Sequence, residues 1–181
     1  NASSLHAKGR EAKDGVDVGR KQLADAIGAE EREIFFTAGG TESDNWAIRG
    51  IAEANTKKGN HIITSTIEHH AVLHTCQELE KKGFEVTYLG VNEQGLVDAE
   101  ELKNAIKDNT ILVSIMFANN EVGTIRSIKE LATITKEKGV YFHTDAVQAF
   151  CNVLIDVNEL NIDLMSISSH KIYGPKGIGA L

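Results

Sequence analysis

The chain has 181 residues, 41% of them hydrophobic and 25% charged, with a net charge of −7. That size suits one domain with a substantial core, and the acidic balance argues against a nucleic-acid binder, which would need a basic patch. No apolar run approaches a membrane span, and two cysteines, Cys76 and Cys151, make no disulfide framework, which points to a reducing, cytoplasmic setting. No basic and apolar leader precedes Ser3. The chain opens at Asn1 without a methionine and stops at Leu181 in what reads as the start of a strand, so both ends are expected to be cut rather than natural.

The elements alternate. After a helical stretch, residues 33–36 form a short apolar run, followed by runs at 61–64, 85–89, 111–117, 140–143 and 164–168. All are short and rich in β-branched or aromatic residues, as strands are. Stretches of helical period lie between most of them, at 45–57, 71–82 and 128–138. Gly83 and Gly139 follow the last two, where a left-handed residue stops a helix without a Cβ penalty. The pattern predicts an α/β fold, a mostly parallel sheet with helices on both faces in three αβα layers. There is no repeat, no low-complexity tract and no linker, so residues 1–181 read as a single domain.

In open α/β sheets ligands bind beyond the carboxyl ends of the strands. Behind the predicted strands come, in order, Thr37-Ala38-Gly39-Gly40-Thr41-Glu42-Ser43, then Glu68-His69-His70, Asn119-Asn120-Glu121, Asp145-Ala146-Val147-Gln148 and Ser169-His170-Lys171. The chemistry-bearing residues therefore gather on one rim. Gly39-Gly40-Thr41 before a helix suits an anion, because small residues let backbone amides approach it; the plain alternative is a turn with Thr41 as helix cap. Asp145 suits a protonated pyridine nitrogen, or it caps the next helix. A lysine such as Lys171 can form a Schiff base with a carbonyl cofactor, although a lone lysine is ordinarily a solvated surface residue. His69 offers an imidazole that can stack on an aromatic ring and move a proton near neutral pH; for His70 and His74 a polar surface role is preferred.

Segments 36–45, 68–72, 118–125, 142–149 and 168–181 together resemble, in family order and over essentially the whole chain, the signature segments of cysteine desulfurases. Ser168-Ser169-His170-Lys171-Ile172-Tyr173-Gly174-Pro175 is the most specific. The resemblance implies the type I fold of pyridoxal 5′-phosphate (PLP) enzymes, here its large domain. It also implies removal of sulfur from L-cysteine to give L-alanine and a persulfide for iron–sulfur or other sulfur-transfer pathways. In its terms Lys171 would hold PLP covalently, Asp145 would keep the pyridine nitrogen protonated and Gln148 would bond the phenolic oxygen, with Asn120 beside it. His69 would stack on the ring and assist proton transfer, and Thr41, Ser168 and His170 would bind the phosphate. A homodimer and a sulfur-acceptor or iron–sulfur scaffold protein are the implied partners.

The chain departs from the family pattern at Ala2, Ala38, Gly40, Phe117 and Ser127, and Gly40 is expected to loosen the phosphate loop. The family's C-terminal domain, with its persulfide-forming cysteine, is not represented. Cys76 and Cys151 sit in contexts that favour burial, so this chain alone is expected to be inactive. A selenocysteine lyase, another class-V PLP enzyme and a non-catalytic interaction fragment are the alternatives. A metal enzyme is the rival from another class. His143, Asp145 and His170 imitate a two-histidine, one-carboxylate iron site, and His70, His74 and Cys76 a zinc site. The iron pattern belongs on all-β scaffolds and the zinc set lacks a fourth ligand, so no metal ligands are assigned.

Overall fold

The computed structural model describes residues 1–181. Seven strands form one sheet: β1 Phe36–Thr37, β2 His61–Ser65, β3 Glu85–Leu89, β4 Thr110–Ser114, β5 Tyr141–Asp145, β6 Leu164–Ser168 and β7 Gly179–Ala180. Their order is β1-β7-β6-β5-β4-β2-β3. The pairs β2/β3, β2/β4, β4/β5 and β5/β6 are parallel, and β7 runs antiparallel between β6 and β1. From β2 the chain steps outward to β3 and returns to β4 on the other side of β2. That reversal of direction opens a crevice at the strand ends, where α/β ligands sit. The helices are α1 Ala7–Ile27, α2 Gly40–Ala54, α3 His70–Lys81, α4 Ala99–Ala105 and α5 Ile128–Glu137.

Side-chain alternation along the central strands builds the three layers. Ile62 and Leu112 point to one face and pack with Ile48 and Ala52 of α2 and with Val72, Cys76 and Leu79 of α3. Ile63, Val113 and Phe142 join the larger core on the other face, with Ala24 and Ile27 of α1, Leu102 of α4 and Ile128, Leu131 and Ala132 of α5. Burial on both faces explains why β2 and β4 read as continuous rather than alternating apolar runs.

Several boundaries differ from the sequence reading for visible reasons. The run 33–36 is a strand only from Phe36, because Glu30 and Glu33 cap each other reciprocally and close a 3-10 turn over Glu31–Glu33. β4 ends at Ser114, yet the chain stays extended, with the Ile115 amide donating to His143 O and the Phe117 amide to Asp145 O. α2 begins at Gly40 and ends at Ala54. The helix thus stops short of the predicted limit at 57, and Gly59 beyond it serves close packing, since a Cβ there would overlap the Asn109 carbonyl. Gly83 and Gly139 do take positive φ, at 92° and 65°, directly after α3 and α5. The seven-residue α4, capped by Asp98, was not predicted. No helix is long and apolar enough to cross a membrane.

Candidate active site

The ends of β1, β4, β5 and β6 and the starts of α2 and α3 surround a cleft of about 790 Å³. Thr41, His69, Asn120 and Asp145 all line it, as do Gln148, Ser168, His170 and Lys171. The eight residues singled out from sequence thus meet in one place, although up to 130 positions separate them along the chain.

Each is held by local structure. Gly39 is the N-cap of α2, with φ 154° and ψ −179°, a conformation open to glycine and hardly to other residues. Behind it β7 passes so closely that a Cβ on Gly179 would lie 2.7 Å from Gly39 Cα. The loop is therefore pinned by two glycines in contact, and Thr41 stands in the first turn of α2 rather than at its cap. His69 is the N-cap of α3: its Nδ1 accepts from the Ala71 amide at 3.1 Å, which orients the ring and leaves Nε2 to carry the proton. Asn119 closes the following turn, accepting from the Glu121 and Val122 amides at 2.9 and 3.0 Å and donating to Ile67 O at 3.0 Å. Its neighbour Asn120 is thereby left free to face the cleft. Ser168 Oγ and His170 Nδ1 lie 2.8 Å apart. Lys171 stands exposed in a 3-10 turn directly after β6.

Asp145 is 5% exposed, and its one protein donor is the Val147 amide, 2.9 Å from Oδ1. No helix follows it, so it does not act as a helix cap. Burial pushes its carboxyl above the usual range, while the Val147 bond, His69 and Lys171 pull it back. A buried carboxylate with so little compensation is a ready partner for a cationic N–H. Glu68, next to His69, is 6% exposed, and burial raises it to about 7. Its carboxylate accepts from Ser65 Oγ at 2.5 Å and from the Met116 amide at 2.9 Å. The buried Arg126 guanidinium eases its charge and donates to Met116 O at 2.9 Å. Met116, which lines the cleft, is thus held from both sides of its backbone.

Gly40, Cys151 and the metal constellations each have a structural answer. At Gly40 a Cβ would stand 2.7 Å from Val147 Cγ2, so the missing methyl makes room for that valine. Cys151 is exposed, not buried, with φ 64°. The metal constellations do not assemble: both ring nitrogens of His143 are taken by serine hydroxyls, and Cys76 is buried with its thiol pushed up to about 12. The sequence reading passed over Asp44 and Met116, which also line the cleft. A signal for Asp44 was present, because it falls on the buried stripe of α2 formed by Gly40, Ser43, Ala47 and Ile48.

The family model of the class-V aminotransferases matches residues 1–181, and the chain belongs to that family. It is 64% identical over all its residues to the cysteine desulfurase IscS of Methanosarcina thermophila, covering 45% of that protein. It is 56% identical to a putative cysteine desulfurase IscS of Bacillus subtilis, covering 48%. Among solved structures, SspA in complex with cysteine superposes with a TM-score of 0.97 at 46% identity, over 99% of this chain and 52% of that one. A NifS-like protein superposes at 0.96 with 42% identity, over 99% and 50%. The chain spans about half the length of the relatives it matches.

Proposed function

We propose that residues 1–181 are the large, cofactor-binding domain of a PLP-dependent cysteine desulfurase, which removes sulfur from L-cysteine and leaves L-alanine. The observation that carries this reading is the convergence of eight residues from five separate segments on one cleft. The residues fit PLP. A glycine-walled helix start with Thr41, Ser168 and His170 beside it suits a phosphate. The undercompensated Asp145 suits a pyridinium N–H, and Lys171 supplies the amine. When bound, PLP supplies an aldehyde for amine attachment and a protonated ring that withdraws electrons.

The chain's own groups divide the work. Asp145 keeps a negative charge against the ring nitrogen, and its burial makes that charge more effective than it would be in water. His69, fixed through Nδ1, presents Nε2–H as the group able to hold and move a proton. Gln148 and Asn120 offer amide donors to oxygen atoms of cofactor or substrate. By the family resemblance, the proposal extends to a cytoplasmic homodimer handing sulfur to an acceptor or iron–sulfur scaffold protein.

Borohydride reduction of the full-length protein with PLP, followed by peptide mapping, tests it. The pyridoxyl group is expected on Lys171. A label on Lys176, or a full-length protein that binds no PLP, overturns the reading.

A further inference from the structure

Beside Asp145 lies a second buried acid that the reading above does not use. Asp44, on the sheet-facing stripe of α2, is 1% exposed, and its Oδ1 meets no hydrogen-bond donor. That oxygen stands 3.7 Å from His143 Nε2 on β5. The imidazole brings no positive charge. Its Nδ1 lies 2.8 Å from Ser114 Oγ and its Nε2 2.9 Å from Ser166 Oγ, and complete burial pushes it down to about 3. The other groups facing Asp44 are Asp145 and Glu68, both acidic, and the Ser166 hydroxyl on β6, already shared with His143.

Two buried carboxylates that line one cleft and repel each other do not both ionise when no cation lies between them; one keeps a proton. The surroundings decide which. Asp145 has the Val147 amide, and His69 and Lys171 both favour its charge. Asp44 has a neutral ring and a shared hydroxyl. We propose that Asp44 is a protonated carboxylic acid that leaves Asp145 as the anion of the pair, which makes Asp44 a positioning residue for the charge in the cleft. An ionised Asp44 would drive the proton onto Asp145 and cancel the charge offered to the cleft. The location of the proton is argued from the unpartnered Oδ1 and the neutral imidazole beside it; its service to a ring nitrogen rests on the proposed function.

Infrared difference spectra of the full-length protein at neutral pH, without and with PLP, test the assignment. Wild type minus Asp44→Asn is expected to contain a carboxylic-acid C=O band in both forms, and Asp145→Asn is expected to keep that band. A difference spectrum showing carboxylate bands instead, or an acid band lost only in Asp145→Asn, overturns the proposal. Asp44→Ser replaces the amide variant if the latter does not fold. Thermodynamic linkage gives a second readout. A carboxyl raised in the folded state stabilises fully below its unfolded pKa, and that stability is lost as pH rises through the folded value. Relative to Asp44→Asn, wild type should therefore gain up to about tenfold in its unfolding constant per pH unit above the ordinary carboxylate range. Parallel pH profiles for the two proteins overturn the proposal. Failure of the wild type to take up PLP would count against the proposed function and leave the acid band of the cofactor-free protein unchanged.

Discussion

Asp145 and Gly40 show how single residues make the cleft. At Asp145 the useful property is a charge held where burial opposes it. Asp145→Asn removes that charge while keeping the shape. In the full-length protein, turnover on L-cysteine should fall on the order of 10²-fold or more, as when a preorganised electrostatic partner is lost. The melting temperature should hold or rise, because a buried carboxylate costs stability. Unchanged turnover would reduce Asp145 to the turn it makes with the Val147 amide. At Gly40 the useful property is an absent methyl. Gly40→Ala drives a Cβ against Val147 Cγ2, and overpacking of that kind costs about 1–3 kcal/mol. Val147→Ala should relieve it, so denaturant melts of the two singles and the double should give a favourable coupling of about 0.5 kcal/mol or more. Additive effects would mean that the valine simply rotates away. Asp145 was legible in the sequence because it stands at the end of a strand run. The Gly40–Val147 contact was not, since the two are 107 positions apart (147 − 40) and meet only when β5 folds against α2.

At the scale of elements, Glu68 and Arg126 tie the loop between β2 and α3 to the segment leaving β4. The tie joins the two stretches that carry His69 and Asn120. It also titrates. Burial raises the folded Glu68 carboxyl to about 7, so its contribution is complete below the ordinary glutamate range and disappears as pH rises through about 7. Over that window wild type should lose about 3 kcal/mol relative to Glu68→Gln, measured by denaturant unfolding at successive pH values. A profile that Glu68→Gln leaves unaltered would mean that Glu68 is ionised throughout. The helices and central strands were readable from period and glycine stops because each is long enough to show its own rhythm. β1 and β7 are two residues long and exist through their partners, with the Phe35 amide donating to Leu181 O and the Leu181 amide to Phe35 O. The sequence marks both places, as the apolar run 33–36 and the strand opening before Leu181, but their limits are set by these partners and not by a local period. α4 was hidden, being a seven-residue helix fixed by its Asp98 cap and the single buried Leu102.

For the molecule as a whole, the positions of the two thiols separate cofactor binding from sulfur release. Desulfuration needs a thiolate to attack the sulfur of bound cysteine, and the thiolate rather than the thiol is the nucleophile. Cys76 is locked in the core between α2, α3 and the sheet, and burial pushes its thiol up to about 12, so its thiolate is nearly absent at neutral pH. Cys151 is exposed, but it borders a different hollow, lined by Phe150, Leu154 and Leu160, and does not line the cleft that holds Lys171. Neither thiol therefore lines the cleft in which a substrate would meet Lys171. The 181-residue polypeptide supplied with PLP and L-cysteine should therefore form no sustained alanine or sulfide, even where borohydride traps a pyridoxyl group on Lys171. Sustained alanine that Cys151→Ser abolishes would make Cys151 the nucleophile and would require the hollow beside Leu154 to communicate with the cleft.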